Sequence, residues 1–154
     1  MKILALTLFL LTSLFGLQKG DIIPDNLSKH IGLQQDKVYI VDFFASWCTS
    51  CKKEIPLMSK ANSKIDNSKV EIIGIDVDKD VQKGISFQNK LKSQSKLNFR
   101  VINDPQNLII KEFKPIGMPT LYYIKNNQIL KIITGAVDEI DQVILKDLKT
   151  LGVN

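Results

Sequence analysis

Lys37–Ala45 reads KVYIVDFFA: behind its opening lysine, an unbroken apolar and β-branched run that carries one charge, Asp42. A strand with one wet face alternates polar and apolar residues. This one does not, so both of its faces need cover. A central strand in a sheet with helices on both sides meets that need. Just beyond it the period changes. From Cys48 to about Ile65, the residues Cys51, Ile55, Met58 and Asn62 fall on one helical stripe, with Ala61 and Ile65 alongside. Pro56 lies inside that helix, where its ring opposes the preceding turn and predicts a kink.

Downstream the two periods keep alternating. Val70–Val77 (VEIIGIDV) predicts a second buried strand, and Lys79 to about Ser95 a helix with Val81, Ile85 and Leu91 inward. Asn98–Ile102 suits a short strand, Asn103–Asp104–Pro105 a turn, and Gln106–Lys114 a short helix carrying Leu108, Ile109 and Phe113. Thr120–Lys125 and Gln128–Thr134 predict two strands joined at Asn126–Asn127, a two-residue hairpin signal. Asp138–Leu151 closes the chain as an amphipathic helix with Ile140, Val143, Ile144 and Leu148 inward. The polar lead-in from Gly20 to Asp36 has room for one short element. Alternation implies parallel strands with right-handed crossovers, and the hairpin adds an antiparallel edge. The expected fold class is therefore α/β, a mixed β-sheet flanked by helices. At 154 residues the chain makes one such domain.

The N-terminus follows another pattern. Lys2 precedes a run, Ile3–Phe15, that is apolar except for Thr7, Thr12 and Ser13. At about 1.5 Å per residue it falls short of the roughly 20 residues that span a bilayer comfortably, and it suits the apolar core of an export signal. Gly16 favours cleavage and Leu14 opposes it. Residues 1–19 are thus read as a signal peptide or a retained N-terminal anchor, and residues 20–154 as the domain. That domain is expected in the periplasm or another extracytoplasmic space, soluble after cleavage or tethered. The formal net charge of +5 comes from lysines spread along the chain, with Arg100 the only arginine. Without a basic block or an aromatic-basic stripe, nucleic acid is not an expected partner.

Cys48 and Cys51 are the only thiols. Outside the cytosol they are expected to oxidise, yet a bond between i and i+3 closes a minimal loop and staples little. At the junction of strand and helix they suit chemistry instead. Cys48 would sit where free backbone N–H groups and the helix dipole favour negative charge, which lowers its pKa and makes it the attacking sulfur. Cys51, one turn further in, would resolve the mixed disulfide. Lys52 and Lys53 add a small, solvent-screened positive charge.

WCxxCK after a buried strand, a proline inside the next helix, and Gly117-x-Pro119-Thr120 entering a late hairpin together resemble the thioredoxin fold. More closely they resemble its exported TlpA/ResA-type thiol–disulfide oxidoreductases. The segments VDFFASWCTSCKKEIP, VEIIGIDVDKD, NFRVINDPQN and GMPTLYYIKNNQILKIITG carry the likeness, which covers nearly everything from Lys37 to the C-terminus. The helix and strand between Lys79 and Ile102 correspond to the central insert of that branch. Glu54 and Pro56 also match its pattern.

The resemblance implies a redox-active Cys48–Cys51 disulfide and no other cofactor or metal. It implies a cis Met118–Pro119 bond set against the cysteines, the alternative being an ordinary trans proline that opens an edge strand. Trp47, Met118, Pro119 and Thr120 are the expected substrate-binding residues, although the Trp47 ring has a packing role open to it as well. Asp42 aligns with an acid that accepts the proton of the resolving cysteine. Its alternatives are a tilt to solvent or a pairing with a lysine such as Lys64. Expected partners are protein thiols and disulfides and a membrane electron donor, with the protein a monomer.

The resemblance leans toward reductase work, for example in cytochrome c maturation. A disulfide oxidase or isomerase of the same fold stays open, because direction follows the potential of the partner. Thr49 and Ser50, both neutral hydrogen-bonders, imply an intermediate potential, and Thr49 stands where some ResA-like members carry Glu. A copper-carrying thiol pair is the reading from a different class, although no further cysteine or nearby histidine supports it. A peroxidase would need an arginine beside the thiolate.

Overall fold

The computed structural model describes residues 15–153, so most of the export segment expected over residues 1–19 lies outside the described residues. In chain order the elements begin with α1 (Asp25–Ile31), β1 (Val38–Phe44), α2 (Thr49–Asn62), β2 (Val70–Asp76) and α3 (Val81–Ser93). They continue with β3 (Arg100–Asn103), α4 (Ile110–Phe113), β4 (Thr120–Lys125), β5 (Gln128–Thr134) and α5 (Ile140–Thr150). The sheet order is β3-β2-β1-β4-β5. As its composition requires, β1 is central and all seven of its residues are buried. It pairs parallel with β2 and antiparallel with β4, and β5 returns antiparallel on β4.

Strand alternation divides the apolar residues into two cores. Val38, Ile40 and Phe44 face one layer with Val70, Ile72, Leu121 and Tyr123, and α2 and α5 cover it through Ile55, Met58, Ile144 and Leu148. Tyr39, Val41 and Phe43 face the other with Ile73, Ile75 and Tyr122, where Leu27 and Ile31 of α1 and Phe113 of α4 close it. The hairpin turns at Asn126 and Asn127, both at positive φ (51° and 61°), which asparagine tolerates better than most residues. The lead-in supplies its one short element as α1. Leu17 already binds the fold, its N–H donating to the Phe113 carbonyl at 3.0 Å. Among the described residues no helix is long and apolar enough to cross a membrane.

Three local expectations need correction. Helix α2 starts one residue later than Cys48 and ends at Asn62, running on through Pro56. On α3 the buried residues are Gly84, Gln88 and Leu91, while Val81 and Ile85 are only partly covered. The helix presents a polar side chain and a glycine inward because a buried carboxylate, Asp76, faces it. Helix α4 holds only Ile110–Phe113, since the Asp104 carboxylate takes the N–H groups of Leu108, Ile109 and Ile110 at 2.7, 3.0 and 2.9 Å and shapes the preceding residues as a turn. Replacing Asp104 with Ala strands those donors, so thermal or urea unfolding is expected to show a loss of about 1–3 kcal/mol.

Candidate active site

Between the end of β1 and the start of α2 the chain makes one turn, and Cys48 stands at its close. Its backbone is extended (φ −82°, ψ 104°), it caps α2, and its Sγ accepts the Cys51 N–H at 3.2 Å. No acidic residue occupies the first turn. The free N–H groups and the dipole of a 14-residue helix therefore act on this sulfur with no carboxylate in the helix's first turn to oppose them, which favours its thiolate once the bond is reduced. The two sulfurs are joined, with Cα atoms 5.3 Å apart. Cys51 is fully buried and Cys48 keeps 7% exposure, so an incoming sulfur meets Cys48 first. Lys52 contributes little here, because its Nζ stands 5.9 Å over the Phe87 ring.

Alternation along β1 puts Asp42 on the face of Ile40 and Phe44, the same core that holds Cys48, Cys51 and Ile55. It is 1% exposed and its Oδ1 has no hydrogen-bond partner. It neither tilts to solvent nor pairs with Lys64. Burial pushes its carboxyl well above the ordinary range, Glu54 pushes it further, and the Phe43 backbone pulls partly back.

Glu54 is the site residue that periodicity passed over. It lies three residues after Cys51 and four before Met58, on the inward side of α2, and is 2% exposed. Neither carboxylate oxygen has a well-formed hydrogen bond. Burial pushes its pKa up to about 7, against a weaker pull from the Val137 backbone. It lines a cavity of about 340 Å³ together with Thr49, Ser50, Lys53 and Val137. Among the described residues, the buried side-chain oxygens without a partner belong to Asp42, Glu54 and Tyr123, and the charge of Glu54 acts on both of the others. Uncompensated acids in one core are costly, and their place beside a cysteine pair suits proton exchange with it.

The Met118–Pro119 bond is cis. Met118 packs against the core containing the cysteines, and it lines a second cavity, about 420 Å³, with Trp47, Val77 and Ile110. The Trp47 ring is 64% exposed, which leaves it open to a partner. Thr120 is buried at 1% and its hydroxyl donates to the Gly117 carbonyl at 2.7 Å, so it closes the loop from within. The Pro119 carbonyl accepts the Gly135 N–H at 3.0 Å and ties the loop to β5. The structure thus gathers Cys48, Cys51, Asp42 and Met118 in or against one core, with Trp47 joining Met118 at the surface.

The AhpC/TSA family model matches residues 14–133. Thiol-disulfide oxidoreductase ResA of Bacillus subtilis (strain 168) is 27% identical over 121 residues, 77% of this chain and 65% of the relative. Its namesake from Bacillus thuringiensis subsp. konkukian is 32% identical over 117 residues, 74% of this chain and again 65% of the relative. The chain therefore spans just under two thirds of these curated relatives' length. A solved structure described as a candidate DsbE thiol:disulfide interchange protein from Chlorobium tepidum superimposes with a TM-score of 0.71 at 23% identity. The match covers 87% of this chain and 97% of that one, a likeness of fold.

Proposed function

We propose that this chain, which belongs to the AhpC/TSA family and has its thioredoxin-like fold, is an exported thiol–disulfide oxidoreductase acting on protein substrates. The observation that carries the reading is the pair itself: Cys48 at the mouth of α2, bonded to a Cys51 that solvent does not reach. In the reductive direction the Cys48 thiolate attacks a substrate disulfide, forms a mixed disulfide and releases one substrate thiolate. The Cys51 thiol gives its proton to the buried acids and attacks Cys48. That step closes the Cys48–Cys51 bond and releases the second substrate thiolate, so two electrons pass to the substrate. No cofactor beyond the cysteine pair takes part. A membrane electron donor returns the electrons, and the chain works as a monomer outside the cytoplasm.

Reduction is the favoured direction, with haem-attachment cysteines of exported cytochromes the client class that the resemblance implies. A peroxidase reading is less favoured. Arg100, the one arginine, donates to Glu71 at 2.7 Å and to the Ile31 carbonyl at 2.9 Å, toward the end of the sheet away from Cys48. Capture tests the proposal. With Cys51 replaced by Ala in cells, mixed disulfides accumulate on Cys48 and their partners can be identified. Haem-maturation clients support the reductase; a spread of newly exported proteins indicates an oxidase. Capture of small thiols alone would sink the protein-substrate reading.

A further inference from the structure

A second set of buried acids lies against the turn that delivers Cys48. The turn runs Ala45–Ser46–Trp47–Cys48 and is closed by the Cys48 N–H donating to the Ala45 carbonyl at 3.1 Å. Asp78 holds it at two points: Oδ2 accepts the Ser46 N–H at 2.7 Å and Oδ1 accepts the Ser46 hydroxyl at 2.9 Å. The Asp78 N–H donates to Asp76 Oδ1 at 2.9 Å, and Asp76 Oδ2 accepts from Gln88 Nε2 of α3 at 2.7 Å. Gln88 Nε2 also reaches Asn103 Oδ1 of β3 at 2.7 Å. Asp76, Asp78 and Gln88 are 1%, 6% and 6% exposed. A Cβ at position 84 would stand 2.7 Å from Asp76 Oδ2, so glycine there is what lets α3 sit so close to the acid.

Two adjacent buried carboxylates are an expensive way to fill a core, since neutral hydrogen-bonders would hold α3 to the sheet at lower cost. What a carboxylate adds is a rigid pair of strong acceptors, and here both are aimed at Ser46. Burial, with the Asp78 carboxyl beside it, raises the Asp76 pKa against the opposing Asp78 N–H and Gln88.

We propose that Asp78 is a positioning residue for the attacking sulfur: its two-point grip on Ser46 fixes the turn that exposes Trp47 and sets Cys48 at the mouth of α2, and Asp76, seated against α3, fixes Asp78. The inference rests on the exchange reading of Cys48. It ties the inserted α3–β3 segment, through Gln88 and Asn103, to the geometry of the reacting atom. Loosening the grip moves Cys48 away from the Cys51 N–H and the helix dipole, which lowers reactivity and weakens the thiolate together.

The test uses the full chain, with kcat/KM for insulin-disulfide reduction and the pH profile of Cys48 alkylation by iodoacetamide as readouts. Asp78→Ala is expected to lose about tenfold or more in kcat/KM, with the alkylation midpoint moving up toward that of free cysteine. Asp78→Asn, whose amide can still accept from the Ser46 N–H and donate to its hydroxyl, is expected to recover most of both. Ser46→Ala removes one contact and falls between; it stands in if Asp78→Ala does not fold. An active wild type beside an Asp78→Ala (or Ser46→Ala) protein unchanged in both readouts overturns the inference alone. So does Asp78→Asn failing as badly as Asp78→Ala, which would assign the effect to charge. A wild type that reduces no disulfide, and whose Cys48 alkylates like free cysteine, overturns the exchange reading and the inference with it.

Discussion

Replacing Cys48 with Ser is expected to drop disulfide reduction to the uncatalysed background while the protein stays folded. A serine hydroxyl at the same helix terminus is not ionised near neutral pH, so it supplies no nucleophile for a disulfide. Cys51 cannot take over the first attack because no part of it reaches solvent. The fold survives because the lost bond closes a loop of only a few residues, a constraint of about 2 kcal/mol or less. Cys51→Ser should differ in kind: Cys48 still attacks, and one equivalent of mixed disulfide forms and persists. Insulin reduction and mass spectrometry of the non-reduced protein read both outcomes. Turnover by the Cys48→Ser protein, or a mixed disulfide formed on its Cys51, would overturn the assignment of roles.

Much of this site is legible in the chain itself. The run Val38–Phe44 demands cover on both faces, and once it is central the change of period at Cys48 puts the cysteines where a strand hands over to a helix. The Asn126–Asn127 turn is equally local, since residues that tolerate positive φ announce it. What periodicity does not show is polar burial. Glu54 lies on the inward side of α2 but is an acid, and Gln88 and Gly84 face inward on α3 only because Asp76 lies opposite. Asp104 shortens α4 through three bonds to residues four to six positions on, which a turn signal at Asn103–Pro105 does not foretell. In each case an apolar stripe marks the layer that faces the core, while the buried acids depend on partners or neighbours from other segments.

Those acids also set how stability responds to pH. Glu54 binds its proton more tightly in the folded protein (about 7) than at the ordinary value of 4.5. Between these values the unfolded chain has released a proton that the folded chain still holds. The stabilisation is therefore complete below about pH 4.5, declines as pH rises, and is gone above about pH 7. The full difference is at most about 3 kcal/mol. Asp42, raised in the same sense, steepens the decline. Glu71 and Asp141, held low by Arg100 with Lys37 and by Lys60 respectively, act in the opposite direction and at lower pH, so they do not mask it. Glu54→Gln removes the ionisation but keeps the shape. Urea unfolding at pH 5 and pH 8 is thus expected to show a clear loss of stability in the wild type and a distinctly smaller one in the variant. Equal losses would mean that the Glu54 carboxyl keeps its ordinary, weak affinity for a proton in the folded protein, too low to hold one taken from the cysteine one turn away.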